Sequence, residues 1–193
     1  GGTKIIVAND SSGVVRSPVL ADDGLTLYYR RWNTKASQLS LVARDLSTGA
    51  ERVISCCGTG AFALSPDGQS VAFVNRGGGA FATSPTSIQI IPTAGGASRT
   101  VYMESIPTEA IQDGGGVKWS KDGRQLLFVR MGGDVMVVPA AGGTPRKILG
   151  PDAGYGLHLH ADGRRIMYTA GNYKSEVWVM ENLDAPGTGG TNK

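Results

Sequence analysis

The sequence contains few aromatic residues and no long apolar run. Aromatic side chains make up 7% of its 193 residues, so we expect a core built largely from aliphatic side chains. No stretch approaches the roughly 20 consecutive apolar residues that a membrane-spanning helix requires, and we expect no insertion into a membrane. No window sustains the period of an amphipathic helix either, which predicts almost no helix.

Strong charge of either sign is also absent. The chain has 19 basic and 16 acidic residues, which gives a net charge of +3 at pH 7. The lysines and arginines are spread along the sequence and form no cluster of the kind that follows a phosphate backbone. We therefore expect no nucleic-acid partner.

The cysteine content is low, and the two cysteines are adjacent. Neighbouring residues such as Cys56 and Cys57 rarely form a disulfide with each other, because the geometry is strained. We interpret them as packing or loop thiols, while a redox switch or a bridge between two molecules stays open. They leave the redox compartment undecided.

A four-fold internal repeat dominates the sequence. Each copy has a short strand, an Asp-Gly turn and an apolar strand, with the turns at Asp23-Gly24, Asp67-Gly68, Asp122-Gly123 and Asp162-Gly163. The four turn glycines are separated by 44, 55 and 40 residues. A period of about 40 to 45 residues with four short strands in each unit is typical of a β-propeller blade. The sequence therefore predicts an all-β propeller of four blade-like repeats.

The repeat divides the chain into four predicted blades followed by a flexible tail. The first strand of the first blade is predicted to begin at residue 18. Glycine pairs such as Gly142-Gly143 supply the positive φ angles that tight hairpins need. The blades are predicted at residues 17–56, 58–105, 114–150 and 155–183, and the tail at residues 184–193.

A single blade of this size cannot bury both of its faces, so it needs a neighbour on either side. Large apolar side chains at equivalent or neighbouring positions of the repeat should therefore lie between blades. On this basis we expect burial of Phe73, Trp119, Phe128 and Tyr168.

The two ends of the repeat array differ. The fourth repeat lacks an outer strand, whereas residues 1–8 have the character of one, because residues 3–7 parallel the sequence that ends the third repeat. Two interpretations stay open. Either this segment closes the ring, within one chain or between two copies in a homo-oligomer, or it is the edge of a longer propeller. The opening Gly1-Gly2-Thr3-Lys4 has no methionine and no signal peptide, and we interpret it as the start of a processed or partial chain.

The repeat motifs carry a family resemblance. Residues 65–73 (Ser-Pro-Asp-Gly-Gln-Ser-Val-Ala-Phe) and 119–128 (Trp-Ser-Lys-Asp-Gly-Arg-Gln-Leu-Leu-Phe) resemble the TolB-type WD-like propeller repeat, and residues 177–180 resemble its third strand. The likeness extends over residues 17–183, with Ala21 and His160 at the serine position of the motif. The resemblance implies a bacterial, periplasmic or extracellular module. Such modules serve as translocation scaffolds, as sensor domains of membrane kinases and as propellers of serine peptidases.

The Asp-Gly turns and the two histidines are the candidates for metal binding. We interpret the Asp-Gly pairs as structural turns, because Asp accepts nearby backbone hydrogen bonds and Gly adopts the left-handed conformation. Calcium would need more oxygen ligands. His158 and His160 lie two residues apart on a predicted strand, so they point to the same side, which suits metal ligands. The oligogalacturonate lyase type of propeller, which this repeat resembles, holds its metal with several histidines, whereas this chain has two. We predict no bound metal and no other cofactor.

Catalytic motifs are not found. The sequence has no Gly-x-Ser-x-Gly elbow of a serine hydrolase. The Gly-Gly-Gly runs at 77–79 and 114–116 are not followed by the Lys-Ser/Thr of a phosphate loop. We therefore expect no catalysis by this chain alone.

Partner binding is predicted at the longest loops, at residues 32–38, 77–85 and 104–115. Loops on a rigid scaffold commonly carry recognition, and interfaces favour aromatic and arginine side chains. We therefore predict Arg31, Trp32 and Phe81 as contact residues. The alternative is that these side chains fold back onto their own blades.

The function that the sequence favours is a non-catalytic binding or scaffold module for protein or peptide partners. One alternative is an accessory or sensor propeller of a larger enzyme, such as a serine peptidase or a membrane kinase. A less favoured alternative is a metal-dependent lyase that uses His158 and His160.

Overall fold

The computed structural model shows the chain as antiparallel β-structure. It describes residues 6–7, 13–56, 58–77, 85–106, 109–112, 116–150, 156–160, 162–170 and 176–180. These residues form 15 strands and, within the ranges just given, no α-helix. In the same ranges, no helix is long and apolar enough to cross a membrane.

The strands form four sheets, and strands that are consecutive in the chain are neighbours in the sheet. The first sheet contains β1 (Gly13–Leu20), β2 (Thr26–Asn33), β3 (Gln38–Asp45) and β4 (Glu51–Ser55). The second contains β5 (Thr59–Leu64), β6 (Ser70–Asn75), β7 (Thr86–Pro92) and β8 (Arg99–Glu104). The third contains β9 (Val117–Trp119), β10 (Gln125–Val129), β11 (Val135–Pro139) and β12 (Arg146–Leu149). The fourth contains β13 (His158–Leu159), β14 (Ile166–Ala170) and β15 (Glu176–Met180). Each predicted repeat thus folds as one sheet.

The first strand is longer than the sequence predicts. It begins at Gly13 rather than at residue 18, and it runs through Pro18. Ser17 adopts a left-handed conformation with a φ of 52°, and the pairing of β1 with β2 shifts register between Arg16 and Val19. A bulge on an edge strand accommodates proline, which has no N–H group to donate to the ladder.

Apolar packing between consecutive sheets forms the core, in three clusters. The first and second sheets meet through Tyr28, Leu41, Ala43, Ile54, Phe62, Val71, Phe73 and Ile91. The second and third meet through Ala72, Val74, Ile88, Ile90, Val101, Ile111, Val117, Leu126, Phe128, Met136, Val138 and Ala140. The third and fourth meet through Leu127, Val129, Val135, Val137, Leu157 and Ile166. The second and third sheets are therefore apolar on both faces.

The four aromatic residues that we expected between blades divide into two pairs. Phe73 and Phe128 expose 1% and 0% of their surface, which confirms the prediction for both. Trp119 and Tyr168 are half-buried and pack at the edges of their clusters. Trp119 Nε1 donates a hydrogen bond of 3.1 Å to the carbonyl oxygen of Ala63 in the preceding sheet. The indole therefore joins two sheets near their inner edges, and its polar nitrogen keeps a partner.

The first sheet has a polar cluster on the face turned away from the second sheet. Tyr28 packs toward the second sheet, so Tyr29 and Arg31 lie on the opposite face of β2. The Tyr29 hydroxyl donates to Glu51 Oε1 at 2.6 Å. Arg31 and Arg44 each form an ion pair with Glu51, with closest N–O distances of 2.7 Å. The Arg31 guanidinium carbon also lies 5.4 Å from the centroid of the Tyr29 ring.

These contacts change the ionisation of the cluster. The hydrogen bonds from Arg31, with further ones from Tyr29 and Arg44, lower the pKa of Glu51 to about 2 despite partial burial. Burial, followed by the hydrogen bond to Glu51, raises the pKa of Tyr29 to about 12. At neutral pH the carboxylate is therefore charged and the phenol keeps the proton that it donates.

The outer edge of the fourth sheet is where the sequence predicts a closing strand. β15 pairs with β14 on one side, and no strand among the described residues pairs with its other side. Within the predicted strand at 1–8, Ile6 and Val7 form a bend, and the other residues lie outside the described part of the chain. The pairing of residues 3–7 with β15 stays a prediction.

Packing between the second and third sheets should depend on Phe128. We expect Phe128→Ala to lower the free energy of unfolding by about 3–5 kcal/mol, because it leaves a cavity in a fully buried cluster. Denaturant unfolding measures this loss. Met103→Ala, at an exposed position of β8, serves as the control and should cost less than about 0.5 kcal/mol. A loss for Phe128→Ala no larger than that of the control would contradict the proposed core.

The stabilisation that Glu51 provides should disappear in acid. Its pKa lies at about 2 in the fold against an ordinary value of 4.5, so the stabilisation is complete above the ordinary value and is lost as the pH falls toward the lower one. We expect Glu51→Gln to lower the melting temperature at pH 7, and the difference from the wild type to shrink by about pH 3. Asp22→Asn is the control, since the Asp22 carboxylate makes no hydrogen bond or ion pair with a described residue. An equal difference at both pH values would count against the assigned ionisation.

Removal of residues 1–8 tests the predicted closing strand. If this segment covers the edge of β15, its deletion leaves unpaired backbone groups, and the protein should aggregate or lose its cooperative melt. Light scattering and thermal unfolding report the two effects. Deletion of the predicted tail at 184–193 should change neither. A protein without residues 1–8 that stays monomeric with an unchanged melting temperature would show that the prediction is wrong.

Candidate binding site

A cavity of about 690 Å³ lies where the first strands of the four sheets end. We call it the central cavity, and its walls are residues 19–23, 62–69, 118–121 and 158–160 together with Tyr28. The residue three positions before the aspartate of each Asp-Gly pair borders it. These equivalent positions hold Leu20, Leu64, Trp119 and Leu159. The four-fold repeat of the sequence therefore becomes a set of apolar side chains around one opening.

The Asp-Gly turns at the mouth of the central cavity are closed by their own side chains. Ser65 Oγ donates to Asp67 Oδ1 at 2.5 Å, and the same carboxylate oxygen accepts the Gln69 N–H at 3.0 Å. Gly68 completes the turn with a φ of 69°. Residues that carry a side chain rarely adopt this backbone conformation. The hydrogen bond from Ser65 is the main reason that the pKa of Asp67 is lowered. This geometry agrees with the interpretation of the pairs as structural turns.

In the fourth turn, His160 occupies the position that serine has in the second and third turns, and it also contacts the aspartate of its own turn. Its Nδ1 lies 3.0 Å from Asp162 Oδ2, and Arg165 Nε donates to that same oxygen at 2.8 Å. Backbone hydrogen bonding from Arg164, followed by the Arg165 and His160 contacts, lowers the pKa of Asp162. One ring nitrogen of His160 therefore belongs to its own turn.

His158 is exposed and lines the same cavity. His158, Leu159 and His160 all border this cavity. In the part of the chain that the structure describes, no three His, Cys, Asp or Glu side chains are grouped so that they could hold a metal ion. A metal-binding role of His158 and His160 stays a hypothesis.

Lys118 is the side chain of this site that the sequence analysis missed. It is half-buried in β9 and lines the central cavity. Burial lowers the pKa of its ammonium group. The available signal was a lysine between Val117 and Trp119 in an otherwise apolar strand.

Two of the three contact residues predicted from the loops, Arg31 and Trp32, are not among the residues that line the central cavity. Arg31 and Trp32 are half-buried within β2 rather than in a loop, and adjacent strand residues point to opposite faces of a sheet. Arg31 is engaged with Glu51 and Tyr29, and Trp32 lies between Val14 and Leu39 of the flanking strands in the ladder. Phe81 lies outside the described residues. A role of these three residues in partner binding stays a prediction.

No family model and no curated protein matches the sequence. Solved structures do match. A puromycin-hydrolysing peptidase from Mycobacterium tuberculosis aligns with a TM-score of 0.69 and 18% identity, over 91% of this chain and 32% of the peptidase. A protein described as TolB from Agrobacterium tumefaciens aligns with a TM-score of 0.66 and 17% identity, over 88% of this chain and 58% of that one.

A third match is the β-propeller domain of the Trilobed protease from Pyrococcus furiosus, which has an open velcro topology. Its TM-score is 0.51 and its identity 12%, over 92% of this chain and 72% of that domain. The chain thus spans about a third of the peptidase and less than two thirds of the TolB protein. At such identities the likeness shows the fold alone. The chain is an all-β protein of four blade-like sheets with a TolB-like propeller resemblance, as its repeats predict.

Proposed function

We propose that this chain is a propeller module that binds an extended segment of a protein or peptide partner in the central cavity. The observation that carries the proposal is the convergence of four strand ends on one opening. β1, β5, β9 and β13 are edge strands of their sheets, and all four border the cavity. The backbone groups on the free side of an edge strand can pair with an extended peptide.

The size and lining of the central cavity support this proposal. Its volume of about 690 Å³ falls within the range of roughly 300–1,000 Å³ that is common for ligand sites. Apolar side chains such as Leu64 and Trp119 alternate with polar ones such as Lys118 and His158. Such a mixed lining suits a peptide, which presents both backbone polar groups and side chains.

Binding without catalysis is supported by the use of the cavity hydroxyls. The Oγ atoms of Ser65 and Ser120 donate to the aspartates of their own turns, at 2.5 Å and 2.6 Å. In the described part of the cavity, neither serine hydroxyl is hydrogen-bonded to a histidine, which is one of the bases that activate a serine nucleophile.

A second candidate function is that of an accessory propeller in a larger enzyme. The similarity to a peptidase of which this chain spans 32% favours it. A parent reading frame that encodes a hydrolase or kinase segment would support this candidate. Completion of the ring by a second copy is a further proposal, and the oligomeric state in solution tests it.

Peptide selection with a blocked cavity tests the proposed function. Linear dodecapeptides displayed on phage are selected on the wild-type protein, and the binders are assayed on Leu20→Trp. Leu20 lines the cavity and is 54% exposed, so the larger side chain should fill the opening without disturbing the core. We expect the affinity of the selected peptides to fall about ten-fold or more, a change of about 1.4 kcal/mol.

Met131→Trp is the matched control, because Met131 is 45% exposed and lies in the β10–β11 hairpin, at the opposite end of its sheet from the turn at 120–124. It should leave binding unchanged. Trp32→Ala examines the contact surface predicted from the loops. A library without binders would overturn the proposal, as would binding that survives Leu20→Trp. If Trp32→Ala loses binding and Leu20→Trp does not, the partner binds at the surface around Trp32 and not in the central cavity.

A further inference from the structure

Lys118 stands out among the charged residues of the central cavity by its position. It lies between buried Val117 and half-buried Trp119 in β9, and strand alternation directs it away from the cluster in which those two pack. A methyl group built on Gly116 would lie 3.8 Å from Lys118 Nζ. The end of this half-buried side chain therefore lies beside Gly116, in the wall of the central cavity.

The Lys118 ammonium has no partner within the described protein. No hydrogen bond or ion pair joins Nζ to any described residue. Removal from water is the one cause that lowers its pKa, so no nearby carboxylate compensates. A partly buried charge without a counter-ion is unfavourable, and an anion from outside the protein would relieve that cost.

The other charged groups of the cavity either form hydrogen bonds or ion pairs within the protein or are exposed to solvent. Asp23 Oδ1 accepts the N–H of Leu25 at 2.8 Å, and Asp67 is occupied by Ser65 and Gln69. His160 is held by Asp162. The remaining titratable side chains at the rim, which are exposed, are Asp22, Lys121 and His158. Lys118 is thus the cation that a ligand reaching the inner wall would meet.

We infer that Lys118 binds a carboxylate side chain of the partner, so that the module selects acidic segments. This inference rests on the proposed function, because it requires a peptide in the central cavity. A carboxylate accepts charge-assisted hydrogen bonds from an ammonium group, and these are roughly twice as strong as neutral ones. The volume of about 690 Å³ favours an acidic side chain carried by a peptide over a free carboxylate ion.

The test compares two pentapeptides that differ in one group. The probes are acetyl-Ala-Ala-Glu-Ala-Ala-amide and its Gln counterpart, and sodium acetate supplies a free carboxylate. Binding to the full chain is followed by NMR through the backbone amide resonances of the cavity residues, which every variant retains. For the wild type we expect the Glu peptide to bind about ten-fold more tightly than the Gln peptide, the difference expected for one charge-assisted hydrogen bond at a partly exposed site.

Three variants test whether the preference for the Glu peptide over the Gln peptide depends on Lys118. Lys118→Met should reduce the preference for Glu to about one-fold, whereas Lys118→Arg keeps the charge and should retain a preference. Lys121→Met removes an exposed lysine of the same cavity and should leave the preference unchanged. The melting temperature of each variant shows that it folds, and the Arg variant keeps the inference testable if the Met variant does not.

The outcomes separate this inference from the proposed function. Equal binding of the two peptides by the wild type would overturn the role of Lys118 while leaving a peptide site in place. A preference that survives Lys118→Met would also overturn it. Acetate that binds as tightly as the Glu peptide would show a site for free carboxylates and overturn the selection of acidic segments. No binding of either peptide at millimolar concentration would overturn the inference, whereas the proposed function is decided by the library and the Leu20→Trp variant.

Discussion

Burial of each sheet face by the neighbouring sheet is the interaction on which the rest of this structure depends. The central strands of the second and third sheets are apolar on both faces, so Val71–Val74 and Leu126–Val129 are buried throughout rather than alternately. A free sheet of this composition would expose one apolar face to water. Stacking removes that exposure from the two inner sheets, and each sheet therefore requires its neighbours.

The first and fourth sheets meet this constraint differently. On the first sheet, the face away from the second sheet carries Tyr29, Arg31, Arg44 and Glu51, which are joined by hydrogen bonds and ion pairs to the Glu51 carboxylate. The fourth sheet buries Ile166 against the third sheet and exposes Met167, its neighbour in β14. A hydrogen-bonded polar cluster lies on one terminal sheet and an exposed apolar side chain on the other, so the two sheets have different surface chemistry.

The central cavity is a consequence of the same stacking. Packing of the sheets brings the inner strands together, and the Asp-Gly turns, closed by their own hydrogen bonds, hold the strand ends in place. Lys118 lines this cavity, and its ammonium group forms no hydrogen bond or ion pair with a described residue. A rigid scaffold with one unsatisfied cation at its inner wall is the arrangement that the proposed recognition of acidic segments uses.

The sequence by itself determined the fold class, because the repeat period, the Asp-Gly turns and the short apolar strands are local signals. It also identified Phe73 and Phe128 as core residues. The bulge at Ser17 was not foreseeable, since it depends on pairing between β1 and β2. Tertiary structure alone decided which residues meet at the cavity, because Leu20, Lys118 and Leu159 are far apart in the chain. It also decided that Arg31 bonds to Glu51, a residue 20 positions away on a non-adjacent strand of the same sheet.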